Sequence, residues 1–205
     1  MNLKHNYWYF PKAVPKKTCD KIIETFKKQK VSKGSVTPAT TSSTYSPDLK
    51  MRNCKIRWGN EVWIYDILNS FIHAANKNSG WNFQWDWNQS IQFTEYSKNQ
   101  FYDWHIDQHW KPYLPSDPDI NIRNKIRKLS LTLQLTHPSK YTGGNLEFMW
   151  FDGTKKNEVK KTVATEARGL GTIIIFPSFI CHRVVPVTKG KRQSLVNWSL
   201  GKPFN

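Results

Sequence analysis

The spacing of apolar residues divides the chain into a helical part and a strand part. From Pro15 to about Lys30, Cys19, Ile22, Ile23 and Phe26 fall close to i, i+3, i+4 and i+7, the period of a helix with one buried stripe. Pro15 suits the first turn, where its missing N–H costs nothing. Glu61 to Asn76 reads as a second helix, with Val62, Tyr65, Leu68, Phe71 and Ile72 on one face. After Gly80 the period drops to two, the signature of strands. Between Asn88 and Tyr96, Ile91 and Phe93 alternate with Gln92, Thr94 and Tyr96. Leu129, Leu131, Leu133 and Leu135 alternate without a break with Ser130, Thr132, Gln134 and Thr136. Such a strand can turn its leucines to a helical layer and its polar side chains to a cavity. Thr172 to Phe176 and Ser194 to Leu200 read as further strands, and the aromatic residues 7–14 as another. Gly143-Gly144-Asn145, Asp152-Gly153 and Lys189-Gly190-Lys191 mark turns, and the Ser-, Thr- and Pro-rich stretch 32–48 a loop.

Two helices followed by seven or eight short strands predict an α+β, mainly β chain: a double-stranded β-helix, or jelly roll, with N-terminal helices packed on one sheet. A length of 205 residues fits one domain over 1–205, with a helical part at 1–80 and a jelly-roll core at 81–205. Ten Trp and a hydrophobic fraction of 38% exclude a disordered chain. The three cysteines, Cys19, Cys54 and Cys181, are odd in number and form no CxxC pair, which argues against a disulfide framework and a zinc–thiolate site. No apolar run approaches a secretory leader or a membrane span, so the expectation is a soluble, cytoplasmic protein with no membrane partner. Thirty-one Lys and Arg against fifteen Asp and Glu give a formal charge of +16. That charge attracts polyanions and keeps nucleic acid open as a partner. The lysines come in scattered pairs, so a solvated basic surface is the equal alternative.

The segment Tyr102-Asp103-Trp104-His105-Ile106-Asp107 carries the chemistry. On a strand, His105 and Asp107 at i and i+2 share a face, where an imidazole and a carboxylate can hold one metal. A second, distant histidine completes a facial triad that leaves positions open for a co-substrate and O2. His182, just after an apolar strand, fits better than His5 or His73 in the helical part, His109 in a loop, or His137 before Pro138. Arg192 opens the next apolar strand. A guanidinium directed into a barrel needs an anionic partner, and its fork matches the distal carboxylate of a 2-oxo diacid.

Three blocks together resemble the prolyl 4-hydroxylase-like branch of the iron(II)/2-oxoglutarate dioxygenases, close to the small PKHD-type hydroxylases. They are Ile91–Tyr96 running to His105-Ile106-Asp107, Leu129–Leu133 running to Gly143–Phe148, and Phe176-Pro177-Ser178 with His182, Pro186, Gly190 and Arg192. The resemblance covers roughly residues 90–200. It implies Fe(II) on His105, Asp107 and His182, and 2-oxoglutarate and O2 as co-substrates, with room for ascorbate. It also implies a 5-carboxylate held by Arg192, a contact from Tyr96, and a protein or peptide acceptor. The strand registers add Thr132, Gln134 and Ser194 to the co-substrate side. Two positions depart from the family: Ser97-Lys98-Asn99-Gln100 stands where Pro-Gly is usual, and Gln134 where an aromatic is common. Two rival readings remain. One is a nucleic-acid oxygenase of the same superfamily, favoured by the charge but lacking the second arginine six residues beyond Arg192, where this chain has Trp198. The other is a non-catalytic metal-binding jelly roll. Residues 108–128, rich in Pro, aromatic and basic residues, are long for a connector and read as a lid over the site. In that reading the 32–48 loop closes from the other side, and Trp104, Trp110 and Tyr113 touch the acceptor. Trp110 packing on the helices is the bland alternative.

Overall fold

The computed structural model describes residues 3–34, 48–151 and 158–204. Residues 35–47 of the predicted 32–48 loop and the Asp152-Gly153 turn lie outside the described residues. The helices are α1 (Lys16–Lys27) and α2 (Val62–Asn78). The strands are β1 (Trp8–Phe10), β2 (Ser32–Lys33), β3 (Arg52–Asn53), β4 (Lys55–Gly59), β5 (Trp87–Asn88), β6 (Ile91–Tyr96), β7 (Phe101–His105) and β8 (Ile126–Gln134). They continue with β9 (Tyr141–Gly143), β10 (Leu146–Phe151), β11 (Val159–Val163), β12 (Ile173–Pro177), β13 (Cys181–Val184), β14 (Val187–Gly190) and β15 (Arg192–Gly201). The described residues are mainly β, with two α-helices.

Both helices begin where the apolar spacing places them. Pro15 is the extended N-cap of α1, whose buried stripe is Cys19, Ile22 and Phe26. The helix stops at Lys27, three residues short of the expected end. In α2 the buried stripe is Ile64, Leu68, Ile72, Ala75 and Asn76, while Val62 is 71% exposed. Leu68 and Ile72 stand as expected, but the buried face is turned by about one residue from the predicted one. Tyr65 lies at its border because its hydroxyl reaches the Gln89 carbonyl at 3.0 Å. No described helix is long and apolar enough to cross a membrane.

Antiparallel pairing organises the strands into a large sheet in the order β1-β12-β8-β15-β6-β4-β2, with β5 also on β15, and a smaller one in the order β11-β10-β13-β7-β3. β9 and β14 form a separate ribbon. The N-terminal part thus adds β1, within the expected strand at 7–14, together with β2 and β4 to the large sheet and β3 to the small one. β2, β3 and β4 are too short or too polar to show a period. The alternation along β8 sorts its faces as expected. Leu129, Leu131, Leu133 and Leu135 join Ile91, Phe93, Ile173, Ile175 and Leu195 against Cys19, Ile22, Phe26, Ile64 and Leu68 of the helices. From the opposite face Tyr96, Ile174 and Phe176 meet Leu146, Phe148 and Val184 of the small sheet. A one-residue slip would have exchanged the two sets.

The N-terminal strand is docked by a close backbone approach. Gly171 has φ +75°, and its carbonyl accepts from Val14 N–H at 3.0 Å. A Cβ there would lie 2.0 Å from the Val14 carbonyl oxygen. Gly171→Ala is therefore expected to cost about 2–4 kcal/mol by chemical denaturation. Gly80 has the same φ of +75° but nothing within 4 Å of its would-be Cβ, so Gly80→Ala should cost only about 1–2 kcal/mol, the left-handed strain alone.

Candidate metal centre

β7 and β13 pair so that His105 and His182 face each other directly, with ring centroids 4.1 Å apart. β7 ends at His105 rather than running through Asp107. The backbone N–H groups of Asp107 and Gln108 both donate to the Ser178 carbonyl, at 3.0 and 2.9 Å. This contact swings the Asp107 carboxylate between the two imidazoles. Its Oδ1 lies 3.6 Å from His105 Nε2 and its Oδ2 3.6 Å from His182 Nε2. The three ligand atoms all fall within 4.8 Å of one another, the one such cluster found among the described residues.

The histidines are poised to ligate through Nε2. His105 Nδ1 donates to the Asp103 carbonyl at 2.7 Å and His182 Nδ1 to the Ile180 carbonyl at 3.0 Å. A carbonyl only accepts, so each Nδ1 carries a proton and each Nε2 is the ring atom turned toward the carboxylate. Burial draws His105 well below its usual pKa, and His182 adds to this, so the ring is neutral at pH 7. Burial alone would raise the Asp107 pKa, but His182, His105 and Arg127 outweigh it and hold the carboxyl well below the usual range. Two imidazoles and one carboxylate are the donor set of a divalent first-row metal.

Beyond the triad the cavity runs inward between the sheets. Tyr102 stacks on His105 with ring centroids 3.5 Å apart, and burial pushes its phenol up to about 12. Arg192 stands opposite Tyr96 across β15 and β6, is 3% exposed, and approaches Ser194 Oγ at 3.4 Å. Among the described residues it has no acidic partner, so the buried guanidinium suits an incoming carboxylate. His105, Asp107, His182, Arg192, Tyr96, Thr132 and Ser194 thus line one cavity. Gln134 does not: it neighbours Ser194 in the register, but its amide donates to the Thr136 carbonyl at 3.0 Å and to Tyr141 Oη at 3.1 Å. Its place near the end of β8 turns it to the ribbon, which alternation alone could not reveal.

Arg52 is the site residue that sequence reading missed. β3 pairs with β7 and brings Arg52 opposite Tyr102. There it is buried, donates to Cys54 Sγ at 3.2 Å and to Gln92 Oε1, and lies 4.5 Å over the Tyr102 ring. A two-residue strand gives no periodic signal, and the charged residue type suggests a surface. At the other end Arg127 lies 4.0 Å over the Trp198 ring and donates to the Asp107 carbonyl at 3.2 Å.

The 108–128 segment is partly anchored. Tyr113 N–H donates to the Lys125 carbonyl and Asn124 N–H to the Tyr113 carbonyl, at 3.0 and 3.1 Å. Ile122 packs with Trp198 and Leu200. Trp110 is 88% exposed, which rules out its packing on the helices. Trp104 lies under the Arg183 guanidinium at 4.5 Å.

Residues 91–200 match the profile of the 2OG-Fe(II) oxygenase superfamily. A PKHD-type hydroxylase of Alteromonas mediterranea is 34% identical over 106 residues, which is 52% of this chain and 41% of the relative. One from Xylella fastidiosa is 35% identical over 107 residues, covering 52% and 42%. The chain thus spans about two fifths of the length of the curated relatives it matches. A Pseudomonas putida prolyl-4-hydroxylase superposes with TM-score 0.65 at 16% identity, over 98% of this chain and 95% of the other. A Trichoplax adhaerens prolyl hydroxylase, solved with a hypoxia inducible factor peptide fragment, gives 0.66 at 17% identity, over 96% and 84%. At these identities the structural likeness speaks for the fold.

Proposed function

Because the chain belongs to the 2OG-Fe(II) oxygenase superfamily, we propose that it is an iron(II)- and 2-oxoglutarate-dependent hydroxylase of a peptidyl, prolyl-type acceptor, its two sheets forming a double-stranded β-helix around the site. The observation that carries this reading is the convergence of three ligand atoms within 4.8 Å in the cavity that also holds the acid-free Arg192. When bound, iron would activate O2, the oxidant, while 2-oxoglutarate and the acceptor would each give up two electrons: one atom of O2 goes into succinate, with loss of CO2, and the other into a C–H bond of the acceptor.

The chain's own residues position and protect that chemistry. His105, Asp107 and His182 hold the metal from one side and leave the other open. Arg192 takes the distal carboxylate of 2-oxoglutarate through two parallel N–H donors, with the hydroxyls of Tyr96, Thr132 and Ser194 beside it. Gln134 contributes indirectly, by fixing Tyr141. Phe176, Leu146 and Val184 keep the inner wall dry, which strengthens the charged contacts there. Ascorbate would serve to restore iron(II) after uncoupled turnover. The cytoplasm suits a chain whose three cysteines are all free.

A peptide acceptor agrees with the peptide bound by the Trichoplax enzyme and with the pairing of Trp198, which lines the cavity, with the exposed Trp58, their rings 6.1 Å apart. Trp110, 88% exposed on the segment that follows Asp107, is the side chain we assign to the acceptor. Trp110→Ala should leave the melting temperature unchanged and uncoupled 2-oxoglutarate consumption intact. Acceptor KM should rise about tenfold, the scale of one aromatic anchor. Unchanged acceptor kinetics would remove the loop from the acceptor site. The charge of +16 supports a nucleic-acid acceptor as the second reading. Incubation with Fe(II), 2-oxoglutarate and either a mixed peptide library or oligonucleotides separates the two: the proposal expects succinate and a gain of one oxygen on peptide. A chain that makes no succinate under any condition is a binding module instead.

A further inference from the structure

The large sheet carries a second cleft, on the side away from the metal, built around a lysine that nothing in the reaction above employs. β8 and β15 are in register at Leu129 with Ser199, but the next pair is Arg127 with Leu200. Lys128 is therefore the extra residue of a bulge, a device that re-aims a side chain. Its carbonyl is fixed by Ser178 N–H at 3.0 Å. Its side chain leaves the sheet toward the 82–86 segment and the chain's last residues. These form a cleft of about 500 Å³ whose walls include Phe83, Trp85, Lys128, Lys202 and Phe204.

Lys128 is 3% exposed, yet it has no hydrogen bond or ion pair among the described residues. Its Nζ sits 3.4 Å from the centroid of the Phe204 ring, which Phe83 steadies edge-on at 4.9 Å. The acid of this cleft, Asp86, is already engaged by Lys125 at 2.7 Å. A lysine is almost never so buried without a counter-charge, and burial lowers its pKa to about 8. The cleft lies within the usual size of small-molecule sites, and it sets the aromatic rings of Phe83, Trp85 and Phe204 beside two cationic side chains, Lys128 and Lys202.

We propose that this cleft is a binding site for a small organic carboxylate with a flat apolar body, its carboxylate on the Lys128 ammonium and its body against Phe83, Trp85 and Phe204. The site is separate from the metal cavity and does not depend on the hydroxylase reading.

Benzoate is the probe, titrated calorimetrically into the whole chain held with Mn(II) and saturating 2-oxoglutarate without oxygen. Saturable one-to-one binding is expected, with benzyl alcohol and acetate much weaker. Lys128→Met should weaken benzoate by about tenfold or more, the scale of a lost hydrogen bond to a charged group. Its melting temperature should be equal or higher, because removing a buried unpaired charge relieves a penalty. Arg192→Met should bind benzoate as the parent does. The proposal is overturned if benzoate fails to bind, if a folded Lys128→Met binds it undiminished, or if Arg192→Met abolishes binding and so places the probe in the metal cavity.

Discussion

Asp107→Ala will abolish succinate formation and lower the affinity for Fe(II), or for Mn(II) as its oxygen-stable substitute, by more than about a hundredfold. Losing a group outside the ligand set already costs 10–100-fold, and Asp107 is the sole anionic ligand of the set. The fold should survive, since the contact that places residue 107 is made by its backbone N–H to Ser178 and persists in alanine. Asp107→Asn sharpens the test. It keeps the shape between His105 and His182 but loses the negative charge, so it should resemble Asp107→Ala in metal affinity and the parent in thermal stability. Calorimetric titration of the metal and a succinate assay read both. Near-parental turnover in either variant, with iron in slight excess over protein, would remove Asp107 from the metal centre.

The second large effect falls on 2-oxoglutarate. In the parent, saturating 2-oxoglutarate should raise the melting temperature, a ligand at a hundred times its Kd being worth about 2.7 kcal/mol. Arg192→Met removes the guanidinium and should erase that shift, with the apparent KM for 2-oxoglutarate rising about a hundredfold, as for a desolvated charge pair left without one partner. Arg192→Lys keeps the charge on a shorter, unforked donor and should lose about tenfold. Metal affinity measured without 2-oxoglutarate should be unchanged in both, which separates loss of the co-substrate anchor from damage to the triad. A normal 2-oxoglutarate KM in Arg192→Met would move the anchor elsewhere, and Arg52 is then the next cation to replace.

The alternation along β8 and β6 was enough to tell which side chains face the helices and which face the cavity, because a strand's period of two leaves no third choice once one face is leucine. The same logic carried the helix starts at Pro15 and Glu61. The site, too, was partly legible. His105, Asp107, His182 and Arg192 are residue types whose chemistry is costly to bury without a partner, and their order along predicted strands restricted what that partner could be. The sequence did not contain the means of bringing them together. Asp107 reaches the histidines through a backbone contact to Ser178, more than seventy residues away, and not by continuing the strand. Nor could it place Arg52, whose burial rests on a two-residue strand pairing with β7, or turn Lys128 out of the sheet at a bulge. The physical reason is common to these cases. Local periodicity reports which way a side chain points relative to its own strand. Where along a cavity it ends, and what it meets there, is set by pairing between distant segments, and that free energy exists only in the assembled tertiary structure.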